Sequence, residues 1–303
     1  METELDVYLS SPRGFCAGVV RAVDIVEIAL ERFGAPVYVK HQIVHNPHVV
    51  KSLESKGAVT VEDVDDIPEG SNVVFSAHGS APTDFEKARA RKLNVVDATC
   101  PLVTRVHNEA KKYSREGKHI VLVGHRGHQE VVGTMGQSDM ALLDEREEFH
   151  LPDWDKDEPV AVLTQTTLSV DDTARAIKQV RERFPEAIVR NDICYATTNR
   201  QESAKIVAKK VDIVLVIGAQ NSSNCGRLRE VAEANGIPAY LVNGPDEIDL
   251  SWFDGVDNVG ITSGASTPEV MVQAVIDWLA PTNVFPVGER EEDITFVLPK
   301  ELR

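Results

Sequence analysis

The chain has 303 residues, 48 acidic against 32 basic side chains and a formal charge of −16, a length that suits two or three small domains better than one core. With 42% hydrophobic and 26% charged residues it has the composition of a globular protein, with disorder expected at most near the ends. The charge argues against nucleic acid, whose backbone needs clustered Lys and Arg, yet leaves room for a small anion in a locally positive pocket.

The first residues, Met1 to Asp6, are acidic where a secretory signal would be basic and then apolar. The apolar runs have strand length, well short of the ~20 residues that span a bilayer, so a cytoplasmic protein is expected. Four cysteines in that compartment are thiols rather than disulfides. No Cys-x-x-Cys pair is present, which argues against a zinc ribbon or a thioredoxin-like motif.

In chain order, Cys16 opens a helical pattern carried by Val19, Val23, Val26 and Leu30 that stops at Gly34-Ala-Pro36. A strand-like run, Val37 to Val44, empties into His45-Asn46, and a second, from Val73, ends in His78-Gly79. Cys100 then opens another helix with Pro101 suited to its first turn. The run His119 to Gly124 leads to His125-Arg-Gly-His128, and Val160 to Gln165 leads to Thr166-Thr167. Cys194 opens a third helix, to about Lys210, followed by the run Asp212 to Ile217, the polar stretch Asn221 to Asn224, and a strand from Val259 to Gly264-Ala-Ser266.

The spacing repeats: 29 residues from Cys16 to His45, 28 from Cys100 to His128, 30 from Cys194 to Asn224. Alternation of strands and helices alone is weak evidence, but three cysteines in register with three pairs of polar loops mark an internal repeat. The expected fold is α/β, with three pseudo-threefold-related small domains, parallel sheets, and loops that converge on one cavity. The boundaries read as 1–97, 98–191 and 192–280, with a tail at 281–303 whose charged Glu289 to Asp293 is read as solvated.

Three thiolates at helix starts suit a soft metal or an iron–sulfur cluster. Three ligands on a four-iron cluster leave one iron open to substrate, and a Cys₃ zinc site offers a similar opening; residue chemistry separates the two poorly. The facing loops carry groups that bind anionic oxygens: His45, His78, His128, Ser222, Ser223, Asn224 and Ser266. His41, His48, His107, His119, His125 and His150 are read as structural or merely exposed. Glu130, in the Gly-rich loop Gly127 to Gly136, is the candidate proton donor, with Thr166 and Thr167 placed to position or relay a proton.

These residues lie in longer motifs: Arg13-Gly-Phe-Cys16-Ala-Gly18, His41-Gln-Ile-Val-His-Asn46, Ser76-Ala-His-Gly79, Asp97-Ala-Thr-Cys100-Pro-Leu-Val-Thr104, Gly133-Thr-Met-Gly-Gln137, Thr164-Gln-Thr-Thr-Leu-Ser169, Asp192-Ile-Cys194-Tyr-Ala-Thr-Thr-Asn-Arg-Gln201 and Gly264-Ala-Ser266. Through them the chain resembles the 4-hydroxy-3-methylbut-2-enyl diphosphate reductase family of the methylerythritol phosphate route to isoprenoids, from about Arg13 to Glu269. The resemblance implies a three-domain trefoil around a [4Fe–4S] cluster held by Cys16, Cys100 and Cys194. It implies reductive removal of the substrate hydroxyl from the open iron, giving isopentenyl and dimethylallyl diphosphate, with electrons from a ferredoxin or flavodoxin. It also implies diphosphate binding by His45, His78, His128, Ser222, Ser223, Asn224 and Ser266, with Glu130 as proton donor, Thr166 as its partner near the hydroxyl and Thr197 close to the ligand. Gln129 and Ser80 stand where the family pattern has Pro and Val, and Cys225 where it has Ser. Cys225 reads as a small loop residue, with a sharper alternative in which its thiol approaches the open iron or is oxidised.

Overall fold

The computed structural model describes residues 5–148, 150–288 and 292–303. Strand β1 (Asp6–Ser10) is followed by helix α1 (Ala17–Phe33), β2 (Val37–Lys40), α2 (Pro47–Ser55), β3 (Ala58–Val61), β4 (Asn72–Phe75), α3 (Pro82–Ala90) and β5 (Asn94–Asp97). Next come α4 (Pro101–Arg115), β6 (His119–Val123), α5 (Gln129–Met135), β7 (Ala141–Leu143), β8 (Val160–Thr164), α6 (Val170–Arg183) and β9 (Ile188–Val189). The chain finishes through α7 (Tyr195–Ala208), β10 (Ile213–Ile217), α8 (Ser223–Ala234), β11 (Ala239–Val242), β12 (Asn258–Ser263), α9 (Glu269–Leu279) and β13 (Asn283–Val287).

The strands form three parallel sheets, ordered β3-β2-β4-β5, β7-β6-β8-β9 and β11-β10-β12-β1-β13. Four positions repeat in all three: β5, β9 and β1 occupy equivalent places, and each runs directly toward a cysteine. The third sheet is therefore completed by the first strand of the chain, with Asp6 opposite Asn258. Residues 6–10 lie in the sheet of segment 192–280, and β13, from the segment read as a tail, extends it beyond β1.

Parallel sheets covered on both faces need strands that are apolar on both sides. In β10 all five residues are buried, and successive side chains point to opposite faces. Ile213, Leu215 and Ile217 join a core with Val272 and Ile276 of α9, while Val214 and Val216 join one with Val207 of α7 and Leu228 of α8. In β6, Val121 and Val123 pack with Ala176 and Val180 of α6, and Ile120 and Leu122 with Val106 and Ala110 of α4.

The contacts divide the chain into two compact units. One comprises residues up to Ala17, His45–Pro47 and Tyr195–Thr295; the other comprises Gly18–Val44, His48–Cys194 and Phe296–Arg303. The first holds the five-stranded sheet and the second the two four-stranded sheets. No helix among the described residues is long and apolar enough to cross a membrane.

Other stretches also differ from the sequence expectation. Gly127 to Gly136 is not a loop throughout: residues 129–135 are helical, capped by the His128 ring, whose Nδ1 accepts the Glu130 backbone N–H at 3.2 Å. In the charged tail segment, residues 289–291 lie outside those described, but Glu292 is not simply solvated: its carboxylate accepts from Arg200 Nη1 at 3.0 Å.

Candidate functional site

Each of the three cysteines stands at the start of a helix and is fixed there through its own backbone. Cys16 N–H donates to Ala265 O at 3.2 Å, Cys100 N–H to Ala77 O at 3.0 Å and Cys194 N–H to Thr166 O at 3.0 Å. The acceptors occupy equivalent places in the turns after β12, β4 and β8. Cys100 is itself the N-cap of α4, with Pro101 at the first helical position, where a missing N–H costs nothing. All three thiols are partly exposed, and no disulfide joins any of the four cysteines.

In the unit with two sheets, the turns after β4, β6 and β8 bring together His78, His128, Glu130, Thr166 and Thr167. The His78 and His128 rings meet edge to face, 6.0 Å between centroids. Glu130 is 3% exposed, and its carboxylate accepts the Thr166 backbone N–H at 2.6 Å and the Thr166 hydroxyl at 2.9 Å. Burial pushes its carboxyl up to about 7; the Thr166 hydrogen bonds pull the other way and the nearby Asp192 charge adds to the rise. A carboxyl that is half protonated near neutrality can give a proton and take one back.

Neighbours that sequence reasoning passed over shape this cluster. Gln165 accepts the His125 N–H at 3.0 Å and donates to the Thr167 hydroxyl at 2.8 Å. Asp192 is buried, its own carboxyl raised by desolvation and held by Arg105 at 3.2 Å. The His125 ring meets Glu145 at 2.7 Å, anchoring the stretch that ends in His128. His125, Asp144 and Glu145 cluster closely, but Asp144 is already engaged by the Arg146 guanidinium and the Arg126 N–H, so the trio reads as an anchor. Gly133 lets α5 approach the turn after β4: a Cβ there would lie 2.8 Å from Gly79 O. Apart from Gln165 beside Thr167 and Arg146 beside Asp144, these partners lie at least 18 positions from the group they support, so no local pattern signals them.

The five-stranded unit gathers Cys16, His45, Thr197, Ser222, Ser223, Asn224 and Ser266. Ser222 caps α8, its hydroxyl accepting the Cys225 N–H at 3.4 Å. The stretch read as a polar loop is thus the N-terminus of a helix, whose exposed N–H groups and dipole favour an anion. Asn224, the second residue of that first turn, is 5% exposed, and among the described residues neither its amide oxygen nor its amide nitrogen has a partner. Unsatisfied buried amide groups cost free energy unless a ligand or water completes them. The Ser266 hydroxyl donates to His45 O at 3.1 Å, and Thr197 is buried on the first turn of α7.

Cys225 is 0% exposed. A Cβ on Gly218 or Gly264 would come within 2.3 or 2.2 Å of its sulfur, so the thiol fills a niche that only glycines leave open. Burial pushes its ionisation up, opposite to what a reactive thiolate or metal ligand needs. The sharper reading of Cys225 gives way to a packing role. Alkylation of the native, metal-free chain is expected to modify three thiols, with the fourth reacting only after denaturation; a fast fourth equivalent would contradict this burial.

The raised Glu130 carboxyl makes stability depend on pH between its unfolded and folded values. Between about 4.5 and 7 the folded chain holds a proton there that the unfolded chain has lost. Its contribution to stability is complete below 4.5 and declines as pH rises through 7. Infrared titration, using Glu130→Gln to assign the band, should place the midpoint near 7. Thr166→Val removes a hydrogen bond to the carboxylate and should move that midpoint upward; a downward shift would refute the arrangement.

The family model described as LytB protein matches residues 7–280. The chain is 51% identical to the 4-hydroxy-3-methylbut-2-enyl diphosphate reductase of Azotobacter vinelandii and 50% identical to that of Pseudomonas entomophila, in each case over 99% of this chain and 98% of the relative. The solved structure of the E-1-hydroxy-2-methyl-but-2-enyl-4-diphosphate reductase from Plasmodium falciparum superposes with a TM-score of 0.94 at 36% identity, covering 99% of this chain and 97% of that one. A second solved structure, described as the terminal enzyme of the non-mevalonate pathway, gives 0.66 at 34% identity over 91% of this chain.

Proposed function

The chain belongs to the LytB family, and on that basis we propose how its residues share the work of a 4-hydroxy-3-methylbut-2-enyl diphosphate reductase. The reaction closes the methylerythritol phosphate (non-mevalonate) route. The allylic C–O bond is cleaved, two electrons and two protons are taken up, water leaves, and isopentenyl or dimethylallyl diphosphate results.

The donor set fits a [4Fe–4S] cluster with three cysteine ligands. Cys16, Cys100 and Cys194 are the partly exposed thiols, each at a helix start and each fixed by an equivalent backbone hydrogen bond, while the fourth thiol is sealed away. When bound, such a cluster would supply electrons and an open iron for the substrate hydroxyl. The three sheets are read as three domains of one pseudo-threefold design (1–97, 98–191 and 192–280), with β1 and β13 of the 281–303 tail lent to the third. A cytoplasmic setting keeps the thiols reduced.

Around the substrate, His45, His78, His128, Ser222, Ser223, Asn224 and Ser266 would hold the diphosphate, aided by the N-terminal turn of α8. The unsatisfied amide of Asn224 supports that reading. Thr197, buried at the start of α7, would lie along the ligand. Thr166, with Thr167 beside it, would position the hydroxyl and orient Glu130.

The observation that carries the assignment is Glu130 itself, a buried carboxyl near pKa 7 with Thr166 on both oxygens. It would deliver the proton with which the hydroxyl leaves as water. Electrons would come from a soluble carrier such as a ferredoxin or flavodoxin.

Anaerobic purification should yield about four iron and four sulfide per chain, and each of Cys16→Ser, Cys100→Ser and Cys194→Ser should lower that content while Cys225→Ser should not. Zinc in place of iron would overturn the cluster assignment. Glu130→Gln should bind substrate normally yet turn over roughly 10²- to 10⁴-fold more slowly; wild-type turnover would remove Glu130 from the role.

A further inference from the structure

We propose that the outer face of α4, with its neighbour α3, is the docking surface for an acidic one-electron carrier protein. The inference rests on the reductase reading above, because the chain's own side chains supply no electrons and the reaction consumes two.

The starting point is charge. In a chain of −16, exposed cations outside contact distance of a carboxylate are informative, and three occur together: Arg89, Lys111 and Arg115 are exposed, with Glu116 acting on Arg115 only through the longer-range field. Among the described residues none of them makes an ion pair, whereas nearby Lys87, Arg105 and Lys118 are each paired to carboxylates.

The second observation is shape. Two adjoining surface hollows, of about 500 and 340 Å³, share Asn108, Lys111 and Gln137. The outer one is lined by Lys111 and Arg115 with no carboxylate. The inner one carries Arg89 and reaches Thr99 and Thr104. Its two acids are Glu86, which is exposed, and Asp97, whose Oδ1 accepts the Thr99 N–H and hydroxyl and whose charge also faces Arg21.

The third is position. Thr99 precedes Cys100, and Thr104 follows it by about 6 Å of helix rise. A carrier seated on the cations therefore overlies the helix that begins at a cluster-ligand cysteine. Each encounter would oxidise one carrier by one electron; two encounters with two protons convert the substrate C–OH to C–H and release water. Complementary charge raises the encounter rate in a salt-dependent way, and an acidic carrier is the partner that a repulsive −16 surface would otherwise turn away.

The test uses the cluster-loaded enzyme with reduced ferredoxin as one donor and reduced methyl viologen as the other. Lys111→Glu with Arg115→Glu should slow ferredoxin-driven turnover about ten-fold or more at low ionic strength, leave viologen-driven turnover unchanged, and abolish most of the salt dependence. Lys111→Gln with Arg115→Gln should give an intermediate loss. Unchanged ferredoxin-driven turnover, or equal loss with both donors, would overturn the surface while leaving the reductase reading intact. Absence of viologen-driven turnover in the unmodified enzyme would instead overturn the reductase reading, and the surface with it.

Discussion

Three backbone hydrogen bonds, from the N–H groups of Cys16, Cys100 and Cys194 to the carbonyls of Ala265, Ala77 and Thr166, hold each cysteine against the turn that follows an interior strand. A cluster ligand must be placed within a fraction of an ångström, and a side chain on a mobile loop cannot be. Here the main chain fixes the position before any metal is considered. The same turns carry His78, Thr166 and Ser266, so the bond that places a thiol also places a group assigned to the substrate. Sheet topology explains the repetition: β5, β9 and β1 are equivalent strands, and each delivers its cysteine to the turn beside it.

Around that frame the chain keeps its ionisable groups in contrasting states. Glu130 is buried and its affinity for a proton rises to the neutral range, while Asp192 nearby is raised for the same reason and steadied by Arg105. Cys225 is sealed and kept as a thiol. Desolvation is the largest cause in each case. Cys16, Cys100 and Cys194, by contrast, remain partly exposed, each just before the first residue of a helix.

Much of this was legible in the amino-acid sequence because it depends on local pattern. The runs at β6, β8 and β10 are apolar on both faces, as sheets covered on both sides require, and the spacing from cysteine to polar loop is kept in all three segments. What could not be read depends on partners far away. Nothing near Asp6 announces Asn258, nothing near Arg200 announces Glu292, and His125 carries no mark of Glu145. Gly-rich sequence also concealed α5: Gly127, Gly133 and Gly136 read as a loop, yet Gly133 is there because the helix must approach Gly79. The Asn221 to Asn224 stretch misled in the same way, since a helix N-terminus and a polar loop share the same residues. For Cys225, only the glycine niche distinguishes a packed thiol from a reactive one.

The place of β1 in the third sheet has a consequence for biosynthesis on the ribosome. Its pairing with β12 joins residues about 250 positions apart, so the first strand made must wait for nearly the last. Loop closure over that length is slow, and the sheets built from β2 to β5 and from β6 to β9 can form while the chain is still emerging. The Cys16 turn, which leans on Ala265 and on Arg200 through Gly14 O, acquires its shape only once the carboxyl-terminal third has been released. A nascent chain that lacks this third therefore has at most two of its three cysteine turns in place.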